Sequence, residues 1–170
     1  MESHNRSARV LGHPVHPMLV VFPLGLLFTA TVFDAIDLFG GSSTFGLVGY
    51  WDIAAGLIGA VLAAVFGFVD WLGIPGGTRA KRVGRLHAGG NLVVVVLFFV
   101  SWLVRTGGAS HVVTTPLFVL QVVALVLSGG TAWLGGELVD RLGIGVDRDA
   151  NPDAPSSLSR GRASGRTAHA

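Results

Sequence analysis

The 170-residue chain is 51% hydrophobic and only 13% charged, with a formal net charge of +2. Soluble domains carry about 25% charged residues, so a globule wetted on all sides is excluded and lipid is the expected solvent. With no cysteine, disulfides, thiolate zinc sites, iron–sulfur clusters held by this chain and Cys-ligated haem are excluded too. Any metal or haem must use His, carboxylate, Met or backbone ligands.

Residues 1–10 read as a short polar tail containing Arg6 and Arg9. The stretch "LGHPVHPMLVVFPLGLLF" follows. A residue before proline is pushed out of helical geometry, so His13 and His16 are expected in a stiff, extended lead-in. Pro17 then suits the first helical position. The first apolar run, about residues 17–39, exceeds the roughly 20 residues that a membrane helix needs. It is also longer than a signal-peptide core and ends in "FDAID", not in a small-residue cleavage site. It is therefore expected to remain as an uncleaved span.

Three further runs of spanning length cover about residues 50–72, 86–104 and 116–139. The fold class expected is all-α: an integral membrane four-helix bundle over residues 11–146, followed by a tail, 147–170, of disorder-like composition. Arg6 and Arg9, then Arg79, Lys81, Arg82 and Arg85, then Arg141, Arg148, Arg160, Arg162 and Arg166 all fall on one side of such a topology. The other two loops contain no Lys or Arg, and only Arg105 borders one of them. The positive-inside bias thus predicts both termini in the cytoplasm, with Trp51 and Trp102 at the outer interface and Trp71 and Trp133 at the inner one. Small residues four apart, such as Gly56, Ala60 and Ala64, or Ala124, Ser128, Ala132 and Gly136, predict close helix contacts.

Ionisable groups at span ends are the functional signal. His13, His16, Asp70, His87 and Glu137 are expected near the cytoplasmic face, with Asn91 one turn beyond His87 on the same helix face. Asp70 and Glu137 lie in C-terminal turns, where negative charge is disfavoured, so each should have a partner: an arginine of the basic loop, a histidine or a metal. His16 and His87 are the natural pair for bis-histidine haem ligation or a divalent metal. A purely structural polar cluster with no cofactor explains the same residues. At the other face Asp34, Asp37 and Asp52 form an expected acidic cluster, near His111. His16 and Asp34 are eighteen residues apart, as are Asp52 and Asp70, which is five helical turns in each case. Proton or small-solute movement between the two clusters is a third reading. No nucleophile elbow, Walker loop or zincin helix is present, so no catalytic activity is assigned and no nucleic-acid partner is expected.

A short internal echo is visible. Two hairpins each open with a histidine (His16, His87) and contain a Trp-Leu-Gly, at "DWLG" and "AWLG". Parallel hairpins related by an axis along the membrane normal would produce it.

"GHPVHPMLVVFPLGL", "FVDWLGIPGGTRAKRVGRLHAGGN" and "WLGGELVDRLGIGV" together resemble a bacterial family of multi-pass membrane domains, domain of unknown function 2231. The resemblance covers about residues 11–146 and includes His13, His16, Pro17, Phe22, Pro23, Asp70, Trp71, His87, Asn91, Gly136 and Glu137. Asp140 departs from it, standing where the family tends to carry an aromatic. Some members are joined to Rieske or cytochrome c modules. The resemblance therefore implies the bacterial cytoplasmic membrane and a redox setting, with an electron-transfer protein or another membrane subunit as partner.

Overall fold

A computed structural model describes residues 8–108, 111–147 and 149–158. Arg6, Arg148, Arg160, Arg162, Arg166 and most of the C-terminal tail lie outside the described residues. The described chain opens with a two-residue hairpin, β1 (Arg9–Val10) against β2 (His13–Pro14), in antiparallel register with Val10 opposite His13. Its turn places Leu11 and Gly12 at φ of +52° and +88°. Positive φ at both central residues is the combination that matches strand twist in a tight hairpin.

The first span is broken near its start. Helix α1 (Val15–Leu19) holds His16 in its first turn, and α2 (Val21–Leu38) continues after Val20. The break has a covalent cause: Pro23 has no N–H to give the Leu19 carbonyl. His13 is extended, as the following proline demands, but the helix starts ahead of Pro17 and takes that proline into its first turn.

Helices α3 (Ser43–Leu72) and α4 (Arg79–Thr106) both begin well ahead of their apolar runs. In each case a hydroxyl caps the end: Ser42 Oγ accepts from the Thr44 N–H at 3.3 Å, and Thr78 Oγ1 from the Lys81 N–H at 3.1 Å. Such caps satisfy amides that have no intrahelical acceptor. Helix α5 (Thr115–Gly136) passes into a π-helical turn, Glu137–Arg141. Four helical segments, Val15–Leu38, Ser43–Leu72, Arg79–Thr106 and Thr115–Arg141, are long and apolar enough to cross a membrane.

In the bundle, α2 packs on α3 and α4 on α5, while α3–α4 and α5–α2 close the ring. Helices α2 and α4 therefore face each other across the diagonal. Leu27, Ala30, Ile53, Val94, Phe98 and Ala124 fill the centre. Missing side chains let helices approach: a Cβ on Gly56 would lie 2.8 Å from Leu27, and one on Gly59 3.3 Å from Pro23.

The two hairpins repeat each other. Pro23, Leu27, Ala30 and Asp34 are buried on α2, and Val94, Phe98, Ser101 and Arg105 on α4, each exactly 71 positions later. On α3, Ile53, Gly56 and Ala63 are buried, as are Gln121, Ala124 and Thr131 on α5, each 68 positions later. His16 and His87 share the first offset, so both belong to this repeat. The Trp-Leu-Gly echo does not: Trp71 corresponds to Val139, not to Trp133.

Candidate functional site

His16 and His87 meet near one end of the bundle, with ring centroids 6.3 Å apart and planes at 89°. Each is fixed in the same way. His16 Nδ1 donates to the Ala63 carbonyl at 2.8 Å, and His87 Nδ1 to the Thr131 carbonyl at 2.8 Å. A carbonyl can only accept, so each Nδ1 carries a hydrogen and, in the neutral ring, the lone pair is left on Nε2. One turn after each accepting carbonyl stands a glycine. A Cβ on Gly67 would lie 2.9 Å from the His16 ring, and one on Gly135 3.2 Å from the His87 ring. The paired carbonyl and glycine let each imidazole lie flat against the backbone of its hairpin partner.

The two sites differ at Asn91. Its amide nitrogen donates to the His87 carbonyl at 2.9 Å and lies 3.3 Å from His87 Nε2, while its oxygen accepts from Thr131 Oγ1 at 3.1 Å. In the repeat, Asn91 corresponds to Val20 and Thr131 to Ala63, so His16 has no such companion.

The remaining residues expected near this end do not join the histidines directly. Asp70 Oδ1 accepts from the Ala8 N–H at 2.9 Å, tying the N-terminal strand to the end of α3. Glu137 pairs with Arg79 at 2.5 Å. His13 Nε2 lies 3.4 Å from Ser157 Oγ, in the segment that folds back over the N-terminal hairpin. Among the described residues, no group of three or more His, Asp or Glu side chains could hold a metal ion.

At the opposite end, Asp34 and Arg105 form an ion pair at 2.7 Å with both side chains fully buried. Asp34 Oδ2 also accepts from Gln121 Nε2 at 2.8 Å, and Gln121 Nε2 reaches Ser101 Oγ at 2.9 Å. Arg105 uses its other nitrogens on two carbonyls, Gly46 at 2.7 Å and His111 at 2.9 Å. His111 Nδ1 returns a bond to the Arg105 carbonyl at 2.9 Å, and its ring stacks on Tyr50 at 4.1 Å. Among the described residues, Asp34 Oδ1 and Gln121 Oε1 have no hydrogen-bond partner. For Asp34 the reason is helix proximity: a Cβ on Gly49 would lie 2.6 Å from Oδ1, so the glycine's Cα–H group covers that oxygen. Asp37 lies against Gly46, and Asp52 Oδ2 accepts from Thr29 Oγ1 at 3.2 Å. Asp34 is thus drawn into a charge-balanced centre rather than a purely acidic one.

Arg105, Gln121 and Ser101 had no place among the residues singled out from sequence, although one signal pointed to the first. His87 and Arg105 are eighteen residues apart, the same spacing as His16 and Asp34. The eighteen residues correspond to about 27 Å of helix, close to the hydrocarbon thickness of a bilayer. The apolar centre of the bundle lies between the two polar ends.

A family model, DUF2231, described as a predicted membrane protein, matches residues 12–148. No curated protein and no solved structure matches the chain.

Proposed function

The chain belongs to the DUF2231 family of predicted membrane proteins, and from that starting point we propose that it is a haem-holding module of the bacterial cytoplasmic membrane, in which His16 and His87 would hold the iron. Both Nδ1–H groups donating to helix carbonyls is the observation that carries this reading. A histidine that ligates a metal almost always donates its other ring N–H to a carboxylate, carbonyl or water. Two histidines with no third protein ligand would suit haem iron, which brings its own porphyrin nitrogens. They suit zinc poorly, since its protein sites use three or four ligands. Gly67 and Gly135 fit the reading by leaving room for the rings.

Haem b supplies a one-electron couple when bound. The protein's own part is to set the tautomer of both imidazoles and to hold them side by side against the backbones of α3 and α5. An electron-transfer protein on another polypeptide is the partner this function needs. The distribution of arginine and lysine supports a cytoplasmic location for both termini, with the histidine end at the inner face.

The test is optical. Protein purified from haem-replete cells is expected to show a Soret band at one haem per chain. The band should be lost in His16→Ala and in His87→Ala but kept in Asp52→Asn, at the far end. A colourless, folded wild-type preparation overturns the proposal and leaves the second reading, that the histidines only lock the bundle. That reading is favoured by one contact: Asn91 Nδ2 lies within 3.3 Å of His87 Nε2, the atom a metal would use.

A further inference from the structure

Among the basic groups around the short loop joining the two hairpins, most already have partners. Arg79 holds Glu137, Lys81 donates to the Trp71 carbonyl and sits 3.6 Å over the indole ring, and Arg9 donates to the Gly12 and Gly145 carbonyls. Arg82 and Arg85 differ. Both are exposed, and neither side chain has a partner among the described residues. Both lie on the outward face of α4, where the same stripe continues through Leu86, Gly89, Leu92, Val93 and Val96. The apolar members of this stripe are 48–64% exposed, and a Cβ built on Gly89 would meet nothing within 4 Å. The face therefore has two free guanidinium groups at its end, a shallow notch one turn deeper, and an uncovered apolar track beyond.

We infer that this face binds one anionic phospholipid, its phosphate held by Arg82 and Arg85 and one acyl chain running over Gly89 along Leu92, Val93 and Val96. The charge arrangement selects the headgroup. Guanidinium forks match phosphate oxygens, and the carboxylates of Asp70 and Glu137 are already engaged by Ala8 and Arg79. The geometry selects a lipid over a free anion: Gly89 lies about 6 Å along the helix from Arg85, which is the step from headgroup to ester region. The inference stands independently of whether the histidines hold haem.

The test uses the full-length protein in mild detergent, titrated with phosphatidylglycerol or phosphatidylcholine of identical chains, with bound lipid counted by native mass spectrometry. One phosphatidylglycerol is expected to be retained and phosphatidylcholine to wash away. A basic residue near the surface contributes about fivefold in affinity, so Arg82→Gln with Arg85→Gln should weaken retention by about 30-fold. The double change to lysine should restore most of it. Gly89→Leu, which fills the notch on an outward face, should weaken retention while the arginines remain. Equal retention of both lipids, or unchanged retention in the double glutamine variant, overturns the inference. Displacement of the lipid by millimolar inorganic phosphate overturns the lipid part, since it makes the phosphate alone sufficient.

Discussion

Asp34 and Arg105 meet across the diagonal of the bundle at 2.7 Å, fully buried, and they stand at equivalent positions of the two repeated hairpins. His16 and His87 are related in the same way at the other end. Positions equivalent by repeat thus come together on the bundle axis, where each must tolerate its own counterpart. Two like charges there would repel; one acid and one base attract. At this position the two hairpins carry opposite charges, which keeps a charged pair buried between them.

Removing either partner leaves the other charge buried without compensation, at a cost of about 3–5 kcal/mol. Asp34→Ala and Arg105→Ala should each lower the unfolding midpoint in detergent sharply. The exchanged protein, Asp34→Arg with Arg105→Asp, should recover at least half of the loss, because the two positions are equivalent. Recovery will be incomplete, since the bonds from Arg105 to the Gly46 and His111 carbonyls are not symmetric. An exchanged protein no more stable than the single variants counts against the equivalence.

Gly49→Ala puts a methyl group 2.6 Å from Asp34 Oδ1 and 3.0 Å from the Ala30 carbonyl. Such overpacking costs about 1–3 kcal/mol. Gly129→Ala and Gly130→Ala point into open space and should be neutral or should stabilise α5 by up to about 1 kcal/mol through helix propensity. Thermal unfolding of the three variants side by side checks the order.

Gly67→Ala would bring a Cβ to 2.9 Å of the His16 ring, whereas Gly135→Ala would reach only 3.2 Å from His87. The first should break the His16–Ala63 hydrogen bond and the second only lengthen the His87–Thr131 one. Side-chain ¹⁵N spectra of the histidines read this directly. The Nδ1–H signature of His16 should be lost in Gly67→Ala, while that of His87 survives Gly135→Ala. Loss of both, or of neither, contradicts the difference in packing.

Because the chain has no cysteine, single cysteines report sidedness without background. Ser42→Cys, in the loop between α2 and α3, should react with a membrane-impermeant maleimide in intact cells. Ser157→Cys should react only after the membrane is opened. The reverse pattern would place the histidine end outside and refute the cytoplasmic placement of the termini.

The four spans were legible because length and hydropathy alone decide them. The helix starts were not, since Ser42 and Thr78 extend α3 and α4 into polar sequence by capping, which hydropathy does not register. His16 and His87 could be paired by their depth. Their acceptors could not be read, because the Ala63 and Thr131 carbonyls carry no side-chain signature. The repeat was half visible. Its histidine match was in register, but the step from α4 to α5 is three residues shorter than from α2 to α3, so the Trp-Leu-Gly match ran out of phase. Arg105 was hidden for a related reason: it looks like a boundary residue until the eighteen-residue spacing from His87 is set beside that from His16 to Asp34.

Each repeat contains two spans. A unit that crosses the membrane twice leaves the chain on the side where it began, so a tandem copy is inserted with the same polarity as the original. Two such units in tandem bring their histidines to the same end of the bundle, where the imidazoles of His16 and His87 meet. A unit of one or three crossings would have put its second histidine at the opposite leaflet, far beyond the reach of the first. Pairing of His16 with His87 thus requires even parity in the repeated unit.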